Sequence, residues 1–457
     1  MMLYLIGFAV VAAGIFACMP AKSRWLYLTV INLLFYTLVC GWSVICIVLT
    51  SVWSWGIASR LAASHRKKLL LALGIVPLLL MLCTFKYWNN LSALTGAAMI
   101  LLPLGMSYYV LKSISYLMDV YRNKYEHDTD AFRYLSYVSF FGQIIAGPIQ
   151  RYDQWIGGTA VQRPVRNFGL CRNFQRAYYH FVVGLFMKVV IANRLAGFVT
   201  EVMNSPADSS GVQLWLAFFL YAVYIYSDFA GYSHIAIGIT NLFGIECADN
   251  FKRPYLSLNI REFWTRWHIS LSFWLRDYVY ISLGGNRKGA FRRALNALIT
   301  FLVCGIWHGS TLNYAFWGVY HGVLNVLTPK NMRWNGRLGK ICGTLLTIML
   351  VCVGWVFFST PTFTAAGAFF TGMFTRLSLD MNAISTAILP FTYDSTCIAF
   401  FLVVSFFIAA GIIKEVNDHC HVIKVRGWMS FAWQVFLLTS VMIFGQFGSS
   451  SFIYAGF

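Results

Sequence analysis

The stretch "CGIWHGSTLNYAFWGVYHG", from Cys304 to Gly322, is almost wholly apolar and yet contains two histidines, His308 and His321. It belongs to an apolar run, residues 294–327, that has basic residues on both sides. A single helix of this length would be about 51 Å long, which is too long for one crossing of a bilayer core of about 30 Å and short for two. We therefore expect a hairpin of two short helices that turns at "WHGST" and places His308 inside the membrane.

The composition of the whole chain indicates a membrane protein. Of its 457 residues, 59% are hydrophobic and 11% are charged, whereas a soluble domain carries about a quarter charged residues. The apolar residues form long unbroken runs of the length of a transmembrane helix, unlike the short alternating segments of a barrel. We predict an all-α polytopic membrane protein that forms a single integral domain over residues 1–457. The twelve candidate spans are residues 2–18, 25–40, 43–60, 69–84, 96–118, 177–197, 212–242, 294–306, 311–327, 341–358, 396–414 and 428–447.

The net charge of +19 is explained by lysines and arginines in the loops between these spans. Cytoplasmic loops carry an excess of Lys and Arg, and with the N-terminus outside every basic loop lies on the cytoplasmic side. The first apolar run then fits a transmembrane helix better than a signal peptide, because its basic residues follow it. The sequence "FKYWNN" (85–90) and residues 359–395 fall on the opposite side. No nucleic-acid partner is needed to account for the charge.

Residues 134–150, "YLSYVSFFGQIIAGPIQ", are apolar but have basic loops on both sides. If they crossed the membrane once, the orientation of every following span would be inverted and the later basic loops would lie outside. We therefore predict a re-entrant or interfacial segment. The eleven cysteines lie mostly inside apolar runs and form no CxxC pair, which indicates packing residues, not disulfides or a metal site. The histidines show no zinc-ligand spacing with acids or cysteines, so we expect no bound metal.

Residues 251–293 form the most basic stretch, with nine lysines or arginines and two acids. Bulky apolar residues recur in it on one helical stripe, which predicts an amphipathic helix. Such a helix could lie at the lipid headgroups, with its arginines on phosphates. The stretch could also form a cytoplasmic vestibule for a phosphate-rich anion such as coenzyme A. The two interpretations are compatible. The stripe consists of Phe263, Trp267, Leu271, Trp274 and Tyr278.

An acid interrupts the apolar run before this stretch. Asp228 lies in "YSDFAGYSHIAIGI" (226–239), and a carboxylate in the bilayer costs about 2.5–3.5 kcal/mol on insertion scales. It therefore needs a partner, for which the nearby arginines are candidates. An ion pair that fixes the helix explains Asp228 at least as well as a catalytic role does.

The motifs resemble those of the membrane-bound O-acyltransferases (MBOAT). The resemblance rests on "YSDFAGYS" (226–233), "REFWTRWHISLSFWLRDYVYISLGGNRKG" (261–289), "GIWHG" (305–309) and three supporting stretches: "LPLGMSYYVLKSISYLMDVYR" (102–122), "YLSYVSFFGQIIAGPIQRY" (134–152) and the terminal "FIYAGF". Within the family the chain is most similar to the bacterial branch that O-acetylates polysaccharides, typified by the alginate O-acetylation membrane protein. The neighbouring branch transfers D-alanine to teichoic acid. His234 stands where the family pattern has an acid, and "GIECADNF" replaces its "PENF".

The resemblance implies about eleven transmembrane helices around a central funnel or tunnel, with the core motifs in residues 102–327 and further helices in 341–447. It also implies a bacterial inner-membrane location. The histidine of "WHG" is the family's catalytic residue, which is His308 here. The histidine of "RWHIS" is placed near the reaction path by the family, which is His268 here.

Acyl transfer to a hydroxyl needs a base for the alcohol proton, and a buried neutral imidazole suits this role. We predict His308 as that general base, with His268 either helping it or shaping the donor path. From the residues alone, a packed core histidine is the commoner explanation, and for His321 we keep it. The donor path is predicted to involve Trp307 at the turn, and Asp228, Arg253, Arg266, Trp267, Arg276 and Asn286. The arginines would hold phosphates or pair with Asp228 and Asp277.

Three functions compete. The first is O-acyl transfer that moves acetyl from cytoplasmic acetyl-CoA, a co-substrate and not a bound cofactor, across the membrane to an extracellular or periplasmic polysaccharide. A periplasmic partner transferase could receive the acetyl group instead. The second is transfer of D-alanyl or another acyl group from a phosphopantetheinyl carrier protein to a cell-envelope polymer. The third is transport of an anionic lipid or glycan, which should show related halves, and the sequence has no internal repeat. Membrane lipid is a partner in all three.

Overall fold

The computed structural model describes residues 2–96, 98–157, 161, 170–378, 403–411 and 427–448. Its long elements are all helices, and two π-helical turns, Phe186–Ala192 and Arg276–Tyr280, continue α8 and α12. The helices are α1 (Met2–Cys18), α2 (Arg24–Cys40), α3 (Val44–Ala63), α4 (Lys67–Thr95), α5 (Met106–Tyr121), α6 (Ala131–Ser139), α7 (Tyr152–Gly157), α8 (Leu170–Leu185), α9 (Asn193–Asn204), α10 (Gly211–Leu242), α11 (Ile260–Arg266), α12 (Ile269–Leu275), α13 (Gly289–His308), α14 (Leu312–Leu327), α15 (Gly336–Ser359), α16 (Phe363–Thr375) and α17 (Gly427–Phe444).

Seven helical stretches within the described residues are long and apolar enough to cross a membrane. The first of them, Ala21–Leu61, is 41 residues long and has room for two crossings, since a helix rises about 1.5 Å per residue. It is divided at Gly41, where φ is 57°. The prediction of an all-α polytopic membrane protein is confirmed. The other six stretches are Lys67–Asn89, Cys171–Asn204, Gly211–Leu242, Gly289–His308, Gly336–Ser359 and Gly427–Phe444.

The described residues divide into two compact units. The first comprises Met1–Phe181 and Tyr232–Asp249, and the second comprises Val182–Gly231 and Asn250–Phe452. The prediction of one domain over the whole chain stays a prediction. Both histidines of the "WHG" and "RWHIS" motifs lie in the second unit, as do helices α11 to α17.

The predicted hairpin around His308 is present. Helix α13 ends at His308 and α14 begins at Leu312. The two helices pack backbone to backbone through glycines: a Cβ atom on Gly305 would lie 2.1 Å from the carbonyl oxygen of Tyr314, and one on Gly318 would lie 2.3 Å from that of Phe301. Small residues allow such close approach, so the glycines of "CGIWHG" and "FWGVYHG" hold the turn closed at His308.

Residues 134–150 do not form a spanning helix, in agreement with the sequence analysis. Helix α6 ends at Ser139, and the chain continues in turns that are buried within the first unit. Gln143 lies in these turns, donates to Gln150 Oε1 at 2.8 Å and accepts from Lys112 Nζ at 2.9 Å. The buried polar side chains of this region are thus hydrogen-bonded to one another, as burial of polar groups requires.

Two local structures differ from the predicted ones. The candidate span 69–84 is longer than predicted, because α4 continues through "FKYWNN" to Thr95 and stops at Gly96, whose φ of 72° ends the helix. The side chain of Asn89 is satisfied there, because it pairs with both backbone groups of Ile100 at 2.9 Å. The amphipathic helix of residues 251–293 is also broken: α11 and α12 are separate seven-residue helices that meet at His268. All five stripe residues are nevertheless buried.

Some predicted features lie outside the described residues. These are the terminal "FIYAGF", residues 379–395 of the stretch 359–395, part of the basic loop 163–176 and the ends of the candidate span 396–414, of which 403–411 is helical.

Candidate active site

A cavity of about 620 Å³ lies within the second unit. Its lining extends from exposed side chains, such as Arg276 and Asn286, to side chains that are almost completely buried, such as His268 and His308. Most of the remaining lining is apolar or aromatic, which is usual for a small-molecule site. The lining residues come from α11 to α14, so the hairpin and the two short helices build the cavity together.

One face of α13 forms a wall of this cavity. Arg293, Ala297, Thr300, Cys304 and His308 all line it, and their spacing of three or four residues places them on one side of a helix. From Arg293 to His308 the helix rises by about 22 Å. The wall therefore has a cation at one end and an imidazole at the other.

His308 lies in an aromatic enclosure at the last turn of α13. Its side chain is 3% exposed. Its ring centroid lies 4.9 Å from that of Trp307, 5.2 Å from that of Trp317 and 5.3 Å from that of Phe358. Such surroundings shield the imidazole from bulk water.

His268 lies at the junction of α11 and α12 with a φ of 41°. This left-handed conformation is costly for a residue with a side chain. Its imidazole is 1% exposed and meets the ring of Phe229 edge-on at 4.7 Å. The ring centroid of Trp307 is 6.4 Å from His268 as well as 4.9 Å from His308. Trp307 therefore lies against both histidines, although it does not line the cavity.

Three arginines line the outer part of the cavity, and no acid does so among the residues described there. Arg276 is paired with Asp277 at 2.7 Å. Arg261 donates through Nε to the carbonyl of Thr328 at 2.6 Å. Burial and, second, the charge of Arg293 lower the pKa of Arg261. Like charges held near each other indicate a site suited to an anion.

The structure divides the predicted site residues into two groups. His308, His268, Trp267, Arg276 and Asn286 line the cavity. Trp307, Asp228, Arg253 and Arg266 do not.

Each of the residues outside the cavity has a different setting. Arg266 pairs with Glu262 one turn earlier, at 2.6 Å. Arg253 adopts a φ of 46° before the turn Pro254–Leu256. Asp228 is fully buried and forms an ion pair with Lys188, which stands in the π-helical turn Phe186–Ala192. The partner of Asp228 is therefore a lysine, and not one of the nearby arginines that the sequence offered as candidates.

His321 has a different environment from the other two histidines. It is fully buried, and neither ring nitrogen has a hydrogen-bond partner in the described part of the chain. The rings of Trp264 and Trp317 lie 5.1 and 5.2 Å away, centroid to centroid. A Cβ atom on Gly354 would lie 2.4 Å from its Nε2. These contacts are those of a histidine packed in the protein core, which is the role that the sequence predicted for His321.

Several lining residues were not singled out from the sequence. Arg261 and Arg293 belong to the basic stretch 251–293, and Thr300, Cys304 and Asn325 lie in apolar spans, so their sequence positions do not mark them as site residues. A usable signal existed on α13, because its small and polar residues recur on one face that leads from Arg293 to His308. No such signal exists on α11, because the stripe from Phe263 to Tyr278 fits one continuous helix.

The fold and the cavity define a polytopic membrane protein with a buried histidine at the end of a cation-lined cavity. Residues 23–334 match the family described as MBOAT, membrane-bound O-acyltransferase family. The chain belongs to this family and is an acyltransferase that is integral to a membrane and crosses it several times.

Three relatives illustrate the range of the family around this chain. The probable alginate O-acetylase AlgI of Pseudomonas putida is 33% identical over 426 residues, which covers 88% of this chain and 86% of that protein. A peptidoglycan O-acetyltransferase of Helicobacter pylori is 31% identical over 346 residues, covering 67% and 65%. A teichoic acid D-alanyltransferase of Bacillus subtilis is 29% identical over 283 residues, covering 57% and 69%.

Proposed function

We propose that this protein takes an acetyl group from cytoplasmic acetyl-CoA and transfers it for the O-acetylation of a polysaccharide outside a bacterial inner membrane. The observation that carries the proposal is a cavity whose exposed part is lined by arginines and whose buried part is lined by His268 and His308. The phosphates of coenzyme A would lie at Arg261, Arg276 and Arg293, since guanidinium groups bind phosphate well. The thioester would lie beside His308. The names of the O-acetylating relatives support acetyl as the acyl group.

In this reaction His308 acts as the general base. It takes the proton of the attacking hydroxyl as the oxygen bonds to the acetyl carbonyl carbon, and the carbon–sulfur bond breaks. The proton then passes from the imidazolium to the departing thiolate, which leaves as coenzyme A thiol. The attacking hydroxyl belongs to a sugar or to a partner transferase on the outer side.

The decisive experiment uses purified protein in nanodiscs with acetyl-labelled coenzyme A. We expect thioester consumption and transfer of the label to an added polysaccharide or partner. The teichoic acid relative supports a second candidate, D-alanyl transfer from a phosphopantetheinyl carrier protein. If the nanodiscs turn over a charged carrier protein and not acetyl-CoA, the second candidate is right. Movement of a lipid or glycan across vesicles without any thioester would instead favour transport.

The arginines give a prediction that is specific to the donor. Replacing both Arg261 and Arg293 with alanine removes two charged contacts to phosphate, each worth about 1.5–3 kcal/mol. We expect KM for acetyl-CoA to rise at least 10-fold while kcat changes much less. Arg287→Ala is the matched control, because Arg287 belongs to the same basic stretch but does not line the cavity. An equal fall in kcat with an unchanged KM would contradict this placement of the phosphates.

A further inference from the structure

A buried asparagine in the second unit holds the junction at His268. The side chain of Asn250 is 1% exposed. Its Oδ1 atom is approached by three groups: the backbone N–H of Ser270 at 3.2 Å, the hydroxyl of Ser270 at 2.9 Å and Nδ1 of His268 at 3.2 Å. His268 and Ser270, at the start of α12, are thus both hydrogen-bonded to this one oxygen.

The backbone groups of Asn250 and Lys252 form hydrogen bonds with the same junction. The carbonyl of Asn250 accepts from the N–H of Ile269 at 2.9 Å, and the N–H of Lys252 donates to the carbonyl of Arg266 at 2.9 Å. These two bonds bracket His268. Together with the Asn250 side chain they compensate for the left-handed backbone of His268 and prevent α11 and α12 from merging into one helix.

The hydrogen bonds also determine where the proton of His268 resides. An amide side chain can be turned so that either its oxygen or its nitrogen faces a neighbour. Here the backbone N–H of Ser270 can only donate, so the atom facing it must be the oxygen. An oxygen accepts and cannot donate, so the nitrogen of His268 that meets it must carry the hydrogen. In a neutral imidazole the proton then stands on Nδ1, and Nε2 carries the lone pair.

We propose that Asn250 is a positioning residue for acyl transfer, which fixes His268 in the Nδ1-protonated tautomer and thereby presents an acceptor nitrogen, Nε2, in the wall of the cavity. The role of an asparagine as orienting partner of a histidine has a parallel in cysteine proteases of another fold. A carboxylate in place of Asn250 would orient the ring equally well but would favour imidazolium. The amide orients the ring without adding charge.

The electrostatic setting of His268 agrees with a neutral ring. Burial lowers the pKa of His268 to about 3, so the ring stays neutral throughout the physiological range. Titratable groups near it are found among the residues that line the same cavity, and Lys252 and Arg266 form the backbone hydrogen bond that brackets it. The cavity-lining groups are Arg261, Arg276, Tyr280, Arg293, Cys304 and His308.

The inference rests on the proposed function for its role in transfer, but the tautomer can be tested without turnover. Nitrogen NMR of protein labelled at the histidine ring nitrogens separates a protonated nitrogen from one with a lone pair. His268→Gln identifies the signals of His268. We expect a protonated Nδ1 and an unprotonated Nε2, and we expect this preference to be lost in Asn250→Ala. A protonated Nε2 in the unaltered protein would overturn the inference even if the enzyme is active.

The kinetic arm uses two substitutions. Asn250→Ala should lower kcat by roughly 10²-fold, in the range of a displaced acid–base group. Asn250→Asp keeps an acceptor for His268 and Ser270, so it should recover most of the rate near neutral pH. Its added negative charge raises the pKa of His268, so the acidic limb of the pH–rate profile should move to higher pH.

The matched control is Asn32 of the first unit, which is also fully buried and accepts a backbone N–H, that of Phe141, at 3.2 Å. Asn32→Asp tests what a buried carboxylate does to this fold in general. If Asn250→Asp and Asn32→Asp leave the pH–rate profile equally unchanged, Asn250 is structural only and the inference is wrong. Absence of turnover in every protein, with the expected tautomer present, would count against the proposed function and not against the tautomer.

Discussion

Replacing His308 with alanine should abolish acyl transfer while the protein still folds. General acid–base groups contribute about 10²–10⁴ in rate, and the aromatic enclosure of His308 leaves little room for water to take over. We therefore expect kcat to fall by about 10³-fold or more, with a smaller change in KM for acetyl-CoA, because the proposed phosphate-binding arginines stand on α11, α13 and the turn after α12. The measurement is label transfer in nanodiscs, with size-exclusion behaviour as the check on folding.

The chain offers a matched control for this substitution. His321 stands on α14 of the same hairpin, is equally buried and also contacts Trp317. His321→Leu removes an imidazole without removing a hydrogen bond that the structure describes, so it should retain most of the turnover. If His321→Leu is as damaging as His308→Ala, the loss would reflect packing of the hairpin. Full activity of His308→Ala would remove His308 from the mechanism.

Much of this site could be predicted because it depends on patterns that are local in the sequence. The length of the run 294–327 and its basic flanks require a hairpin, and the glycines of "CGIWHG" allow its helices to touch. His308 at its turn follows from these constraints. The catalytic role assigned to it came from the family motif, since an apolar segment alone does not distinguish His308 from His321.

The parts that could not be predicted depend on contacts between segments that are distant in sequence. The stripe from Phe263 to Tyr278 fits one amphipathic helix, and nothing in its own sequence marks a break. The break at His268 is imposed by Asn250 and Lys252, which pair with residues 266–269 through their backbones. The partner of Asp228 could not be predicted for a similar reason, because Lys188 lies forty residues earlier, inside an apolar run whose pattern fits a membrane span.

The ion pair of Lys188 and Asp228 should be the most sensitive point of the fold within the second unit. Their side chains are 6% and 0% exposed. The π-helical turn that contains Lys188 packs tightly on α10: a Cβ atom on Gly231 would lie 3.0 Å from the carbonyl of Gly184 and 3.1 Å from the amide of Lys188. Because α10 also contributes Phe229 against His268, a shift of this helix would reach the cavity.

Breaking this pair should be strongly destabilising. Asp228→Leu leaves a buried ammonium without its carboxylate, which costs about 3–5 kcal/mol, whereas replacing both members by apolar residues of similar size is often nearly neutral. We expect a large loss of unfolding free energy in Asp228→Leu and recovery of most of it in Lys188→Met/Asp228→Leu, measured by denaturant unfolding in detergent.

The control is Asp153→Ala, which breaks the exposed pair of Lys124 and Asp153 and should cost at most about 1 kcal/mol. If the double substitution restores stability and also acyl transfer, the pair supports α10 and has no part in the chemistry. Restored stability with lost transfer would return Asp228 to the donor path, where the sequence analysis first placed it.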